Sequence, residues 1–272
     1  MDLLGATSRW VAAARARESE RSDRLFEDSL ARALAGDEGF HLLEEMAKAA
    51  GGGENGYLAI RTRFLDEFVL SAATAIRQIV IVAAGMDARA FRLDWPVGTT
   101  VFEIERAQVL AVKEPILREA GATPRCERRV VSADLAEPWE PSLLAAGFSS
   151  EAPAVFLVEG LTPYLWPEQV TTLMQRISAI AAPGSRLGAD IIGTSFLESP
   201  WTKAYLARLE AEGVGWHFGT DEPERFLGSF GWDATATLPG EPGANWGRWT
   251  YPVPQRTTVG FPKSYLVRAT RR

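Results

Sequence analysis

Gln78-Ile79-Val80-Ile81-Val82-Ala83-Ala84-Gly85-Met86-Asp87-Ala88-Arg89 is the stretch on which the fold turns. Residues 79–82 are an unbroken β-branched run. Apolar side chains at successive positions predict a strand covered on both faces, as in a parallel sheet. The small residues that follow, ending in Gly85, predict a tight turn where a ligand can approach the backbone. Outward from this stretch the same rhythm recurs. Strands are predicted over 100–104, 129–133, 154–158 and 186–191, and helices over 107–120, 141–146 and 167–182. Pro167 and Glu168 suit the first turn of the last helix. Strand alternating with helix means an α/β, doubly wound, mostly parallel sheet.

Upstream the period is helical. Thr7 or Ser8 is placed to cap a helix through Trp10, Val11, Ala14 and Arg17. Ser22 is placed to cap a second, through Leu25, Phe26, Leu30 and Leu34, which Gly36 would end. A third surrounds Leu42, Leu43 and Met46. Gly51, Gly52, Gly53, Asn55 and Gly56 make the clearest break, and a helix is predicted over 57–75. Downstream of Ile192 comes an insertion rich in Trp and Gly, then a helix from Asp221, with Asp221 and Glu224 at capping-box spacing. Late strands are predicted over 249–253 and 264–269.

The chain of 272 residues is 46% hydrophobic and 24% charged, ordinary for a globular protein. Lys plus Arg is 29 against 35 for Asp plus Glu, a net charge of −6, which disfavours a nucleic-acid partner. A lone cysteine, Cys126, excludes an internal disulfide framework, and only two histidines, His41 and His217, argue against a histidine-built metal site. Residues 1–24 lack a signal-peptide core, and no apolar run approaches the ~20 residues needed to cross a bilayer. The expectation is a soluble cytoplasmic protein with no metal and no membrane partner; the oligomeric state is left open.

In an open parallel sheet the ligand lies beyond the carboxyl ends of the strands. Gly85 follows the first strand. Glu105 follows the second, 20 residues past that glycine, where a carboxylate suits ribose hydroxyls. Asp134 and Leu135 follow the third strand, Glu159 and Gly160 the fourth. A dinucleotide turn would carry glycines spaced Gly-x-Gly-x-x-Gly; here there is one glycine, and Asp87 beside it would repel a diphosphate. That favours S-adenosylmethionine, a phosphate-free adenosyl ligand with a cationic sulfonium. A nicotinamide-dependent oxidoreductase and a non-catalytic S-adenosylmethionine-binding module are the alternatives.

Taken together, Glu18-Ser19-Glu20-Arg21-Ser22-Asp23-Arg24-Leu25-Phe26, Arg61-Thr62-Arg63, Ala84-Gly85-Met86-Asp87-Ala88-Arg89, Phe102-Glu103-Ile104-Glu105, Asp134-Leu135 and Glu159-Gly160-Leu161-Thr162-Pro163-Tyr164-Leu165 make the chain recognisable. It resembles the leucine carboxyl methyltransferase-like family, in its bacterial O-methyltransferase branch, over nearly its whole length. The resemblance implies a class I, Rossmann-like methyltransferase fold in one domain over 1–272. Residues 1–75 would form a helical cover, 76–192 the cofactor-binding core, and 193–272 an acceptor lid with closing strands, one of them antiparallel. It also implies that Arg61 pairs with the methionine carboxylate, Gly85 forms the cofactor turn, and Glu105 meets the ribose. Asp134 and Leu135 would lie beside the adenine, and Glu159 near the methionine end. Two positions depart from the family pattern: Ala83 stands for the first glycine of the turn, and Glu105 for the usual Asp. Asp87, Arg89 and Arg63 are read either as cofactor contacts or as salt bridges holding the turn.

Methyl transfer is an in-line displacement that asks mainly for alignment and exclusion of water. A carboxylate acceptor is already ionised at neutral pH, whereas a phenol gains from a base. Scarce histidine leans towards a carboxylate, with His217 the candidate base or else a packing residue. Tyr164 is a candidate for orienting the acceptor, or a core tyrosine. Arg24 and Arg248 are candidates for holding an acceptor carboxylate. Five tryptophans from Trp201 onward (Trp201, Trp216, Trp232, Trp246, Trp249) predict either an aromatic acceptor pocket or closure of the sheet edge.

Overall fold

The computed structural model describes residues 3–52 and 56–272, with 3–6 as backbone only. Gly53 and Asn55, part of the predicted break, lie outside the described residues. Three helices open the chain: α1 (Leu3–Ser19), α2 (Ala31–Ala49) and α3 (Tyr57–Ala73). There follow β1 (Gln78–Val82), α4 (Arg89–Arg92), β2 (Thr100–Glu105), α5 (Ala107–Glu119), β3 (Glu127–Ser132), α6 (Glu140–Ala145) and β4 (Ala154–Val158). A 3-10 turn, Thr162–Tyr164, leads to α7 (Pro167–Ile180), β5 (Arg186–Ile192), α8 (Thr194–Glu198), α9 (Lys203–Ala211), α10 (Pro223–Gly228), β6 (Trp232–Thr237) and β7 (Ser264–Arg271).

The strands form one seven-stranded sheet in the order β3-β2-β1-β4-β5-β7-β6. The first five are parallel, and β7 runs antiparallel to both β5 and β6. Side chains of β1 alternate between two cores. Ile79 and Ile81 join Phe64, Leu65, Val69 and α5 on one face, while Val80 and Val82 join Trp139, Val170 and Ile177 on the other. Both faces are therefore dry, which is why the run carries no polar position. Each such side chain contributes about 1.5–3 kcal/mol on burial.

Register makes the site. Val82 pairs with both Ile104 and Val158, and Ile104 pairs with Val131, so the carboxyl ends of four strands finish nearly flush. The order reverses between β1 and β4, the switch point where a crevice opens.

Four local expectations are corrected. Thr7 and Ser8 lie inside α1, which starts at Leu3, and not at its N-cap. No helix starts at Ser22. Residues 20–30 are irregular because Glu18 accepts the Leu25 N–H at 2.7 Å and the Ser19 hydroxyl oxygen accepts that of Asp28 at 2.9 Å, pinning the segment to the end of α1. The helix begins at Ala31, and Gly36 (φ 56°, ψ 179°) breaks it as expected before it resumes through Met46. Asp221 does not cap α10; its carboxylate takes the Ser195 N–H (3.0 Å) and hydroxyl (2.8 Å) and the Tyr265 hydroxyl (3.2 Å). Residues 249–253 are not a strand. Pro252 lacks a donor for a ladder, and the strand that flanks β7 opposite β5 is β6, a segment after the Asp221 region for which the sequence predicts no strand.

Candidate functional site

At the end of β1 the chain turns through two left-handed residues, Ala83 (φ +55°) and Gly85 (φ +49°). A Cβ on Gly85 would come within 2.8 Å of the Ser8 Cβ on α1, so the helix closes directly over the turn. The freed Gly85 N–H donates to Glu105 Oε2 at 2.7 Å, and the Arg106 N–H donates to Oε1 at 2.7 Å. Two backbone donors thus hold the Glu105 carboxylate in place, with lone pairs left for a further donor. Asp134 begins the loop after β3, one oxygen accepting the Ala136 N–H at 2.9 Å; Leu135 beside it packs on the core.

After β4 the chain enters a buried charge network. Arg61, on α3, donates through Nε to Glu159 (2.9 Å) and through Nη1 to Asp190 (3.0 Å). Asp190 also accepts from the Gly160 N–H (2.6 Å) and the Tyr57 hydroxyl (3.1 Å). Arg89 touches Glu159 (2.7 Å), Asp66 (2.7 Å) and Asp87, and Arg92 binds Asp66 with both nitrogens at 2.6 and 2.7 Å. Burial by itself would raise the Asp87 carboxyl, but the cations around it, Arg89 foremost, hold it at about 2. Glu159 is lowered for the same reason: Arg89 and Arg61 outweigh its burial. Asp87 and Arg89 do hold the turn by salt bridges. Arg63 instead pairs with Glu67 (2.7 Å) on its own helix and with the Leu25 carbonyl (2.8 Å).

The strand-end members of this set line one wall of a cavity of about 980 Å³. Arg61, Gly85, Glu105, Asp134, Leu135 and Glu159 all border it, as does Tyr164. α1 forms its roof through Ser8 and Val11, and the far wall is aromatic: Tyr164, Phe196, Tyr205 and Trp216 meet edge-on or tilted at 5.5–6.5 Å. Burial raises the Tyr164 phenol above its ordinary value, so it is a neutral hydroxyl at physiological pH.

Three candidates are placed otherwise. His217 does not border the cavity; its ring lies flat on Trp166 with centroids 3.9 Å apart, and its backbone N–H donates to the Pro163 carbonyl at 2.7 Å. Arg24 also lies outside, paired with Glu27 at 3.4 Å on the exposed segment before α2. Arg248 does border the cavity, but Glu18 (2.9 Å) and Asp23 (3.0 Å) hold its guanidinium, so it straps the late loop to the end of α1. Of the five tryptophans, Trp201, Trp216 and Trp249 line the cavity, whereas Trp232 is buried under the sheet, its indole donating to Ser178 at 2.8 Å. The sequence reading missed Asp190. A lone acid inside the apolar run of β5 is a signal that would have found it, since such a charge is retained only with partners.

Comparison with known proteins agrees with this geometry. Residues 8–178 match the leucine carboxyl methyltransferase family. A Mycobacterium avium protein named as an S-adenosyl-L-methionine-dependent methyltransferase is 35% identical over the whole of this chain and 96% of its own length. A Parafrankia protein of the same designation is 46% identical over 69% of this chain, a match spanning 63% of that protein. Two solved structures share the fold at low identity. A DUF574 family protein from Streptomyces avermitilis has a TM-score of 0.65 at 15% identity, covering 94% of this chain and 98% of its own. A Thermobifida fusca protein described as a methyltransferase has 0.64 at 17%, covering 97% and 94%. With the sheet order of class I methyltransferases and the strand-end residues in register, the chain belongs to the leucine carboxyl methyltransferase family of S-adenosylmethionine-dependent methyltransferases.

Proposed function

We propose that this methyltransferase methylates an oxygen, by preference a carboxylate, on a small natural-product-like acceptor. When bound, S-adenosylmethionine supplies an electrophilic methyl group on a cationic sulfonium. The residues present suit that group. The Gly85 turn offers bare backbone and Glu105 an oriented carboxylate for ribose hydroxyls; Asp134 and Leu135 flank the end where adenine would lie. Arg61 would take the methionine carboxylate, with Glu159 and Asp190 beside it for the ammonium.

The observation that carries the reading is one cavity joining these strand ends to an aromatic lobe that neither histidine borders. An acceptor there finds rings to stack on and the Tyr164 hydroxyl to orient it. No imidazole stands ready to take a proton, which suits an acceptor ionised before it binds. Roofing by α1 keeps bulk water from the transfer site. Among the described residues no helix is long and apolar enough to cross a membrane.

The test is incubation with methyl-labelled S-adenosylmethionine and matched sets of small carboxylic acids and phenols. Base-labile label with stoichiometric S-adenosylhomocysteine is expected. Base-stable label would move the reaction to a hydroxyl, and cofactor binding with no transfer to any acceptor would favour a sensing module.

A further inference from the structure

Five cations are buried among the described residues: Arg15, Arg61, Arg89, Lys113 and Lys263. The first four each touch a carboxylate, namely Asp28 (2.9 Å), Glu159 (2.9 Å), Asp66 (2.7 Å) and Glu103 (2.7 Å). Lys263 is the exception. It is 4% exposed, and its Nζ has one partner, the Thr258 carbonyl at 2.7 Å. Among the described residues no acid, ring or other polar group completes its shell. An ammonium taken out of water without a counter-charge is costly, and three donors with one acceptor leave it under-satisfied.

Its position says what is missing. Lys263 borders the same cavity as the strand-end residues. It immediately precedes β7, and its carbonyl accepts the Gly193 N–H at 2.9 Å, at the carboxyl end of β5. Along the sheet margin the order is therefore Asp134, Glu105, Gly85, Glu159, then Lys263. The lysine lies on the side of the charge network opposite the ribose and adenine end. Gly193 is three residues past Asp190, about 10 Å further out by strand rise. The same mouth carries aromatic rings: Trp201 and Phe261 meet edge-on at 5.3 Å, and Trp249 and Tyr251 at 5.3 Å. Trp201 is 72% and Tyr251 52% exposed, a costly use of aromatic surface unless something covers it.

We propose that Lys263 is the acceptor's anion anchor, a positioning residue whose ammonium pairs with a carboxylate of an aromatic acceptor held between the rings at this mouth. The assignment deepens the methyl-transfer reading, on which the name of the acceptor lobe rests; the charge preference itself does not depend on it.

The probes are 2-naphthoate and its neutral isostere 2-naphthamide, titrated calorimetrically into the full-length protein, Lys263→Met and Lys263→Arg, with and without S-adenosylhomocysteine. The wild type is expected to favour the acid at least tenfold. Lys263→Met should lose that preference without moving the amide, and Lys263→Arg should restore it. Equal affinity for acid and amide in the wild type, absence of naphthoate binding, or equal losses for both probes in Lys263→Met would each overturn the proposal, the last showing a purely structural lysine. Failure of S-adenosylhomocysteine to bind would strike the methyl-transfer reading instead, and the naphthoate preference measured without it would still judge Lys263.

Discussion

The guanidinium of Arg61, on α3, lies 3.0 Å from the carboxylate of Asp190, on β5, and the two are only 6% and 2% exposed. This pair fastens the helical cover to the sheet at the point where the cofactor's amino-acid end is expected. Arg61 thereby serves the fold and the site together. Removing the arginine leaves Asp190 buried without its cation and Glu159 with Arg89 alone, so Arg61→Ala should destabilise the protein by about 3–5 kcal/mol. Chemical denaturation measures it; a loss under 1 kcal/mol would show that the network is slack.

Arg61→Lys keeps the charge and loses the planar fork, separating the second role from the first. S-adenosylhomocysteine should bind about 1.5–3 kcal/mol more weakly. 5′-Methylthioadenosine, which lacks the amino-acid carboxylate, should bind as to the wild type. Glu105→Gln should instead weaken both ligands, because both carry the ribose. Unchanged affinities in calorimetry would count against the assigned contacts.

Asp87 and Glu159 give the protein an acid limit. The folded pKa of Asp87 is about 2 against an ordinary 3.8, so the unfolded chain binds the proton first. The resulting stabilisation, about 2 kcal/mol, is complete above pH 4 and disappears as pH falls through 2. Glu159 is shifted in the same direction and adds to the slope. Urea melts at pH 6, 4 and 3 should show Asp87→Asn losing less stability on acidification than the wild type. Parallel curves would refute the linkage.

Ala83 and Gly85 occupy the same left-handed region, one with a Cβ and one without. Ala83→Gly should therefore stabilise the protein by about 0.5–1 kcal/mol, since the left-handed penalty on alanine exceeds the entropy that glycine adds. Gly85→Ala should destabilise by at least ~1 kcal/mol, because the new methyl meets Ser8 on α1 as well as straining the turn. Thermal denaturation of both variants tests the contrast, which fails if the signs agree.

The sequence determined the β-α alternation, the dry parallel core and the row of strand-end residues. These are properties of periodicity: β1 reads as a strand because Ile79–Val82 face two cores, and a strand end is a local event. Gly85, Glu105, Asp134 and Glu159 were accordingly legible one strand at a time. Only the tertiary structure decided their company. Asp190 and Arg61 stand 129 residues apart, and Lys263 reaches the cavity only because β7 inserts antiparallel between β5 and β6. His217 and Arg24 read as candidates by type alone, and stacking on Trp166 and pairing with Glu27 turned them elsewhere. The physical reason is that backbone period is set by neighbours in the chain. The charge a buried side chain meets is set by elements the chain brings back from far away.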